Sequence, residues 1–421
     1  MHTENNDRRD NQGEGRRRFL PRENSGRRDV DIDGHSLLPA VEDEDLVPRG
    51  TPASYLFLLL AIIVIGTVSI RAINVILAPM LFDEAKINSV ARAITHSTGY
   101  ATYDLNIETR QLRREHIRNL PEAPEIAVMG ASHWQEAHGA IMPGVSFYNA
   151  HVHRDYFEDI VAVASWFIKY DKLPKKLVIS IRDNQFTAPR DRTDFLWVPV
   201  LPDYRKAAPM FGLTPHEVYR NGLTPQLRQT LSFPLLVAHA ERYLDAPEQP
   251  HVSGAPSHET LDMLLSDGAI YWSASHRDEF TVERMRAESE ALTAGKVNNP
   301  PTFDPEGVLA VDTVLGYLRE AGVELYLAHP PYNPLVWDAV QGTPYMEGLQ
   351  QIEELVQAMA RRHDIPIIGS FNPYDVGCTA DMYIDGEHSS PTCLGMILRD
   401  GLGERLAHYR PSAEHGGAVN Q

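Results

Sequence analysis

From Pro52 to Ile70 the chain runs nineteen residues without a charge, PASYLFLLLAIIVIGTVSI. A helix of that length crosses a hydrocarbon core of about 30 Å. Apolar character resumes after Arg71 and continues to Phe82, so the helix is expected to run on past the membrane. The pattern predicts an uncleaved transmembrane anchor over 52–78. A buried core helix and a cleaved signal peptide are the alternatives. The fifty residues ahead of the run are too many for a signal-peptide n-region, and no small-x-small cleavage site follows.

Beyond the anchor come five short apolar runs: EIAVMG (125–130), VSFYNA (145–150), KLVISIR (176–182), VELYLAHP (323–330) and IPIIGSFN (365–372). Near-continuous apolar runs of this length, without clean alternation, predict strands buried on both faces, as in parallel sheets. Helical stretches lie between them. RDYFEDIVAVASWFIKY (154–170) joins the second and third runs. PEGVLAVDTVLGYLREAG (305–322) leads into the fourth, with Pro305 early and Gly322 just past the end. YMEGLQQIEELVQAMARRHD (345–364) leads into the fifth and keeps Leu349, Ile352, Leu355, Val356 and Met359 at helical spacing. A last helix is expected to start near Ser390-Pro391. Alternating strand and helix predicts an α/β fold, a doubly wound parallel five-stranded sheet in three α/β/α layers. About 140 residues separate the third and fourth runs, far more than a crossover needs. The stretch 186–300 is therefore expected to be an insertion that roofs the site or docks a partner.

Composition divides the rest of the chain. Residues 1–50 hold nine Arg, no Lys and few apolar residues, so they are expected to be a disordered Arg-rich tail. Residues 79–120 are expected as a linker and juxtamembrane helix, 121–410 as the α/β domain, and 411–421 as a disordered tail. The formal net charge of -18 argues against a nucleic-acid surface. The eight Arg in the first 28 residues favour a cytoplasmic N-terminus, although Arg71, Lys86 and Arg92 lie on the other side of the span. The large domain would then be periplasmic or extracytoplasmic. Two cysteines occur, Cys378 and Cys393. In an oxidising compartment they could pair, or they could remain two buried thiols.

Sites in wound sheets gather at the carboxyl ends of the strands. There the chain places Ser132, Asn149, Asp183-Asn184 and His329. A serine hydroxyl needs a nearby base to act as a nucleophile, and the base needs a carboxylate to fix its tautomer. DMYIDGEHSSPTCLG (381–395) supplies both: Asp385 and His388 are three apart in a polar loop after the fifth run. Each of these residues also has a plainer reading. Ser132 could be a turn residue, His388 a solvated loop histidine, and Asn184 an Asx-turn residue; Asp381 could replace Asp385 as the partner. His133, His151 and His153 match no firm zinc spacing, so no metal is expected, and no cofactor is called for.

Gly130-x-Ser132 after the first strand, with Asp385-x-x-His388 near the C-terminus, resembles the SGNH (GDSL-like) hydrolase and acyltransferase superfamily. The single N-terminal anchor is similar to the subset that acylates cell-surface polymers, as in alginate-type O-acetylation and teichoic-acid D-alanylation. The resemblance spans roughly residues 120–410, less the insertion. It implies Ser132 as nucleophile, His388 as general base and acid, and Asp385 as orienting carboxylate. It also implies an oxyanion hole made from the serine N–H, a glycine N–H after the second strand and an Asn side chain after the third. Here the second block reads YNAHVHRDY, with His153 or Arg154 near the glycine's place, and the third offers Asn184; Asn149 closes the second run. The implied partners are a surface polysaccharide, a multi-pass membrane acyltransferase and, through the anchor, membrane lipid. The implied location is a bacterial cytoplasmic membrane. A Cys378–Cys393 bridge would bracket Asp385 and His388 and brace their loop.

Overall fold

The computed structural model describes residues 52–81, 84–96, 100–102, 109–188, 192, 198–215, 252–253, 262–297 and 299–402. The tails expected at 1–50 and 411–421 lie outside them. The chain divides into two units, Met1–Leu59 and Leu60–Gln421. The division falls inside the first helix, α1 (Pro52–Leu81). Its Ala53–Ile73 segment has a mean hydropathy of 2.6, is long and apolar enough to cross a membrane, and has no buried residue.

The second unit is α/β. Its main sheet takes one strand from each apolar run: β2 (Ile126–Met129), β3 (Phe147–Asn149), β4 (Lys176–Ser180), β8 (Glu324–His329) and β9 (Ile367–Gly369). All are parallel, in the order β3-β2-β4-β8-β9. Alternate residues feed two separate cores. Ala127, Met129, Leu177, Ile179, Leu325 and Leu327 pack with α4 (Phe157–Lys169), α8 (Pro305–Glu320) and α10 (Pro344–His363). Ile126, Val128, Val178, Tyr326 and Ala328 pack with Trp134, Ile141 and the last described helix, α12 (Pro391–Leu402). Helix α8 starts as its sequence suggests: the Asp304 side chain accepts from the Glu306 N–H, Pro305 follows the cap, and Gly322 turns left-handed beyond the end.

Residues 79–120 hold more than the expected linker and juxtamembrane helix. They contain α2 (Glu84–His96), β1 (Tyr100–Thr102) and α3 (Thr109–Asn119). Strand β1 joins a small antiparallel sheet with β5 (Val252–Ser253), β6 (Met263–Leu264) and β7 (Ile270–Tyr271), in the order β5-β1-β6-β7. Ile87, Val90, Ala91 and Ile94 of α2 share a core with Leu112, Leu264 and Ile270. The expected insertion therefore combines with a segment that precedes the main sheet. Its β6–β7 turn docks on the main fold: the Asn149 N–H donates to Asp267 O at 2.6 Å and the Ile270 N–H to Gln135 O at 2.7 Å. Gly268 makes this docking possible, because a Cβ there would lie 2.3 Å from Asn149 O. The other described helices of this region are α5 (Leu201–Ala207), α6 (Ala274–Asp278) and α7 (Val282–Val297). Two short helices, α9 (Pro334–Val340) and α11 (Pro373–Val376), follow β8 and β9.

Candidate active site

The chain leaves β2 through Gly130, where it passes so close to β4 that an added Cβ would lie 2.5 Å from the Ser180 Cβ. Only glycine fits there. The next residues turn into a 3-10 helix, Ser132–Trp134. Trp134 is wholly buried and anchors the turn in the second core. Ser132 stands in the first turn, where backbone N–H groups have no partner within the helix.

The facing residues come from a loop closed at several levels. Tyr383 and Ser389 form an antiparallel bridge. The Ile384 N–H donates to His388 O at 3.0 Å and the Ser390 N–H to Met382 O at 2.8 Å. Inside the loop, Asp385 Oδ1 accepts from the N–H groups of Glu387 (2.7 Å) and His388 (2.6 Å). Outside it, Cys378 and Cys393 are joined by a disulfide, buried in the second core, with Cα atoms 5.5 Å apart. Of the two readings open for the cysteines, the structure has the paired one.

Three sequence-predicted residues meet. His388 Nδ1 lies 2.6 Å from Asp385 Oδ2, and His388 Nε2 lies 2.9 Å from Ser132 Oγ. An ionised carboxylate only accepts, so Nδ1 carries the proton and Nε2 is left to accept from the hydroxyl. Burial works against a charged His388 ring. The hydrogen bond and charge of Asp385, with Glu387 behind it, outweigh burial and raise His388 above its ordinary 6.5. Burial likewise pushes Asp385 up, but the bonds from His388 and the loop N–H groups hold it below its ordinary 3.8. Asp381 does not compete: it is exposed and accepts from Thr379 Oγ1 at 2.5 Å.

These residues open on a cleft of about 860 Å³. The loop after β3 contributes His153 and Arg154, the loop after β4 contributes Asn184, and α7 forms a wall with Ala291, Gly295 and Lys296. Arg154 has φ +47°, the left-handed conformation that usually belongs to glycine. The two loops are stitched together. Gln185 Nε2 donates to Asp155 Oδ2 at 2.6 Å and to Ser180 O at 2.7 Å, and Asn184 Nδ2 donates to Asp155 O at 3.2 Å.

Asn149 is a correction. It is fully buried and does not line the cleft. Its Nδ2 donates to Trp134 O (2.6 Å) and Ala137 O (2.8 Å), and its Oδ1 accepts from the His151 N–H (3.0 Å). It is a strut for the Ser132 turn, with no amide group left for a substrate. His329 is likewise buried, packed on Phe371 with ring centroids 4.2 Å apart and 3.3 Å from Ile181 O. His151 is buried between Arg113 and Asn149. Among the described residues, no three His, Cys, Asp or Glu side chains converge as a metal would need.

Beside these three residues lies a charged cluster of which the sequence pattern singled out only Asp183. Arg182 is 1 % exposed; its Nη1 lies 3.2 Å from Glu387 Oε1 and its Nε 3.4 Å from Asp183 Oδ1. Lys296 Nζ reaches Asp183 Oδ2 at 3.0 Å and Tyr345 Oη at 2.9 Å. The Tyr345 hydroxyl also donates to Asp183. Arg182 and Asp183 stand where a site residue is expected, just past β4. Lys296, in the insertion, carried no local signal. Compared with protein-family models and with curated proteins, the chain matches none.

Proposed function

We propose that this chain is a membrane-anchored, SGNH-like serine O-acyltransferase that moves an acyl group, acetyl in the first instance, onto an extracytoplasmic polysaccharide. The observation that carries the reading is the Ser132–His388–Asp385 chain of contacts, 2.9 and 2.6 Å long, at the carboxyl edge of a parallel sheet. A three-layer, doubly wound arrangement of the SGNH kind accounts for the two cores on opposite sides of that sheet. In the proposed reaction Ser132 Oγ bonds to the carbonyl carbon of an acyl donor as its proton passes to His388 Nε2. The carbonyl π pair moves onto oxygen. Collapse expels the donor's alcohol, which takes the proton from His388 and leaves an ester on Ser132. A sugar hydroxyl then repeats the steps in reverse. The Ser132 N–H, the Asn184 amide and the backbone at Arg154 are the donors proposed for the oxyanion.

The apolar α1 supports membrane attachment. The disulfide supports an oxidising, extracytoplasmic compartment. With the domain outside, an acyl donor needs a route across the bilayer, which a multi-pass acyltransferase would supply. One observation favours a second reading, a catalytically silent polymer-binding or scaffolding protein: His153 or Arg154, both lining the cleft, stands near the place where the resemblance expects glycine. An O-acetyl esterase would use the same residues with water as acceptor, and product analysis with a glycan acceptor separates it from a transferase.

The test is covalent labelling of the purified full-length chain with a fluorophosphonate. Wild type is expected to label at Ser132. Ser132→Ala should lose the label and at least about a thousandfold of any acetyl-ester hydrolysis. A folded wild type that takes no label would favour the silent reading.

A further inference from the structure

Asp385 is not the only carboxylate that the loop turns inward. Glu387, two residues on, has its Oε1 3.3 Å from His133 Nε2 and 3.2 Å from Arg182 Nη1. The His133 ring stacks on the His388 ring with centroids 5.4 Å apart and planes 29° from parallel. His133 follows Ser132 directly and is 6 % exposed. The candidate base is therefore flanked on one side by Asp385 and on the other by a stack of His133, Glu387 and Arg182. We propose that Glu387, clamped by Arg182 and His133, is a positioning residue that keeps a second negative charge against His388 during acyl transfer. The proposal rests on the Ser132 reading of the site.

His388 becomes an imidazolium each time Ser132 or the acceptor gives up its proton. Asp385 meets that charge through Nδ1. Glu387 meets it through space, with no bond to the ring and no proton to exchange. Arg182 serves Glu387 by holding it ionised: burial alone would push its carboxyl up, but Arg182, with Lys296 behind it, keeps it well below the usual carboxylate range. Burial, with Arg182 adding to it, keeps His133 neutral far below the usual imidazole value, so His133 sets no like charge against His388.

The other charged groups around His388 are accounted for. From the turn after β2 comes Glu136, which burial pushes up to about 7 and which Arg277 pairs at 2.5 Å. From the loop after β3 come His151, buried neutral, and the cleft-lining His153 and Arg154. From the loop after β4 come Arg182 and Asp183, the latter tied to Lys296 of α7. Glu288, also of α7, is held by Arg284 at 2.8 Å. Among these, Glu387 raises His388 and Arg182 lowers it. Neutralising Glu387 alone should therefore lower the base, because Arg182 stays behind as an uncompensated cation, whereas removing Arg182 would also release Glu387 to take up a proton.

The experiment measures acetyl-ester hydrolysis, or the rate of fluorophosphonate labelling, against pH for the detergent-solubilised full-length chain. Glu387→Gln is expected to move the acidic limb about one pH unit lower. Where Glu387→Gln does not reach the wild-type near-UV circular dichroism, Glu387→Asp reads the same limb with the charge withdrawn by one methylene. It should fall below the wild-type midpoint by a smaller step. A Glu387→Gln limb that stays within about 0.2 of wild type, or that moves upward, overturns the proposal. If Ser132→Ala keeps its activity, the reading of the site itself fails. If Ser132→Ala is inactive while the limbs stay put, only the role of Glu387 fails.

Discussion

His388 can take a proton from Ser132 only while its ring is neutral, and the side chains around it set the pH at which that holds. Its folded value lies above 6.5 because Asp385 outweighs burial. The ring therefore stays charged further up the pH scale than a free imidazole does. As a base it is lost below its folded value and recovered above it. The kcat/KM for an acetyl ester is expected to rise through a limb centred above pH 6.5; a midpoint at or below that value would mean that Asp385 does not hold the ring in solution. The polar residues at the sheet edge were legible as a set in the sequence, but their directions were not. Asn149 closes one apolar run and Asn184 follows another. One is consumed by three hydrogen bonds in the core and the other lines the cleft. Glu387 was hidden for another reason: a charged residue in a polar loop looks solvated until a buried arginine from a distant strand meets it.

At the scale of elements, the segment between α11 and α12 decides whether the base is held. Its backbone bridge and its disulfide close one loop inside another. Cross-linking a loop of this length adds about 3 kcal/mol by restricting the unfolded chain. The Cys378→Ser, Cys393→Ser double variant is expected to lose up to that much in urea unfolding under oxidising conditions. An unchanged midpoint would show that the bridge braces nothing. All five parallel strands were visible in the sequence because buried strands are apolar on both faces. The small sheet was not. Its strands are two or three residues long, too short for any periodicity, and β1 finds its partners more than 150 residues away. That is why residues 79–120 read as a linker and juxtamembrane helix, with no strand. The part that the insertion's α7 takes in the cleft wall was not legible, because it depends on the long-range contact that brings Gly386 against Ser289 and Leu292.

For the whole molecule, α1 sets the first expectation. The full-length chain should pellet with membranes and need detergent for release. A chain beginning at Glu84 should stay in the supernatant after high-speed centrifugation, with its acetyl-ester activity retained. A full-length chain washed off by salt alone would show that α1 does not span. The proposed nucleophile and base stand 256 residues apart in sequence. The ribosome therefore releases the alcohol long before its activating partner exists. On the proposed reading, a copy that stops short of residue 388 carries a serine with no base to activate it.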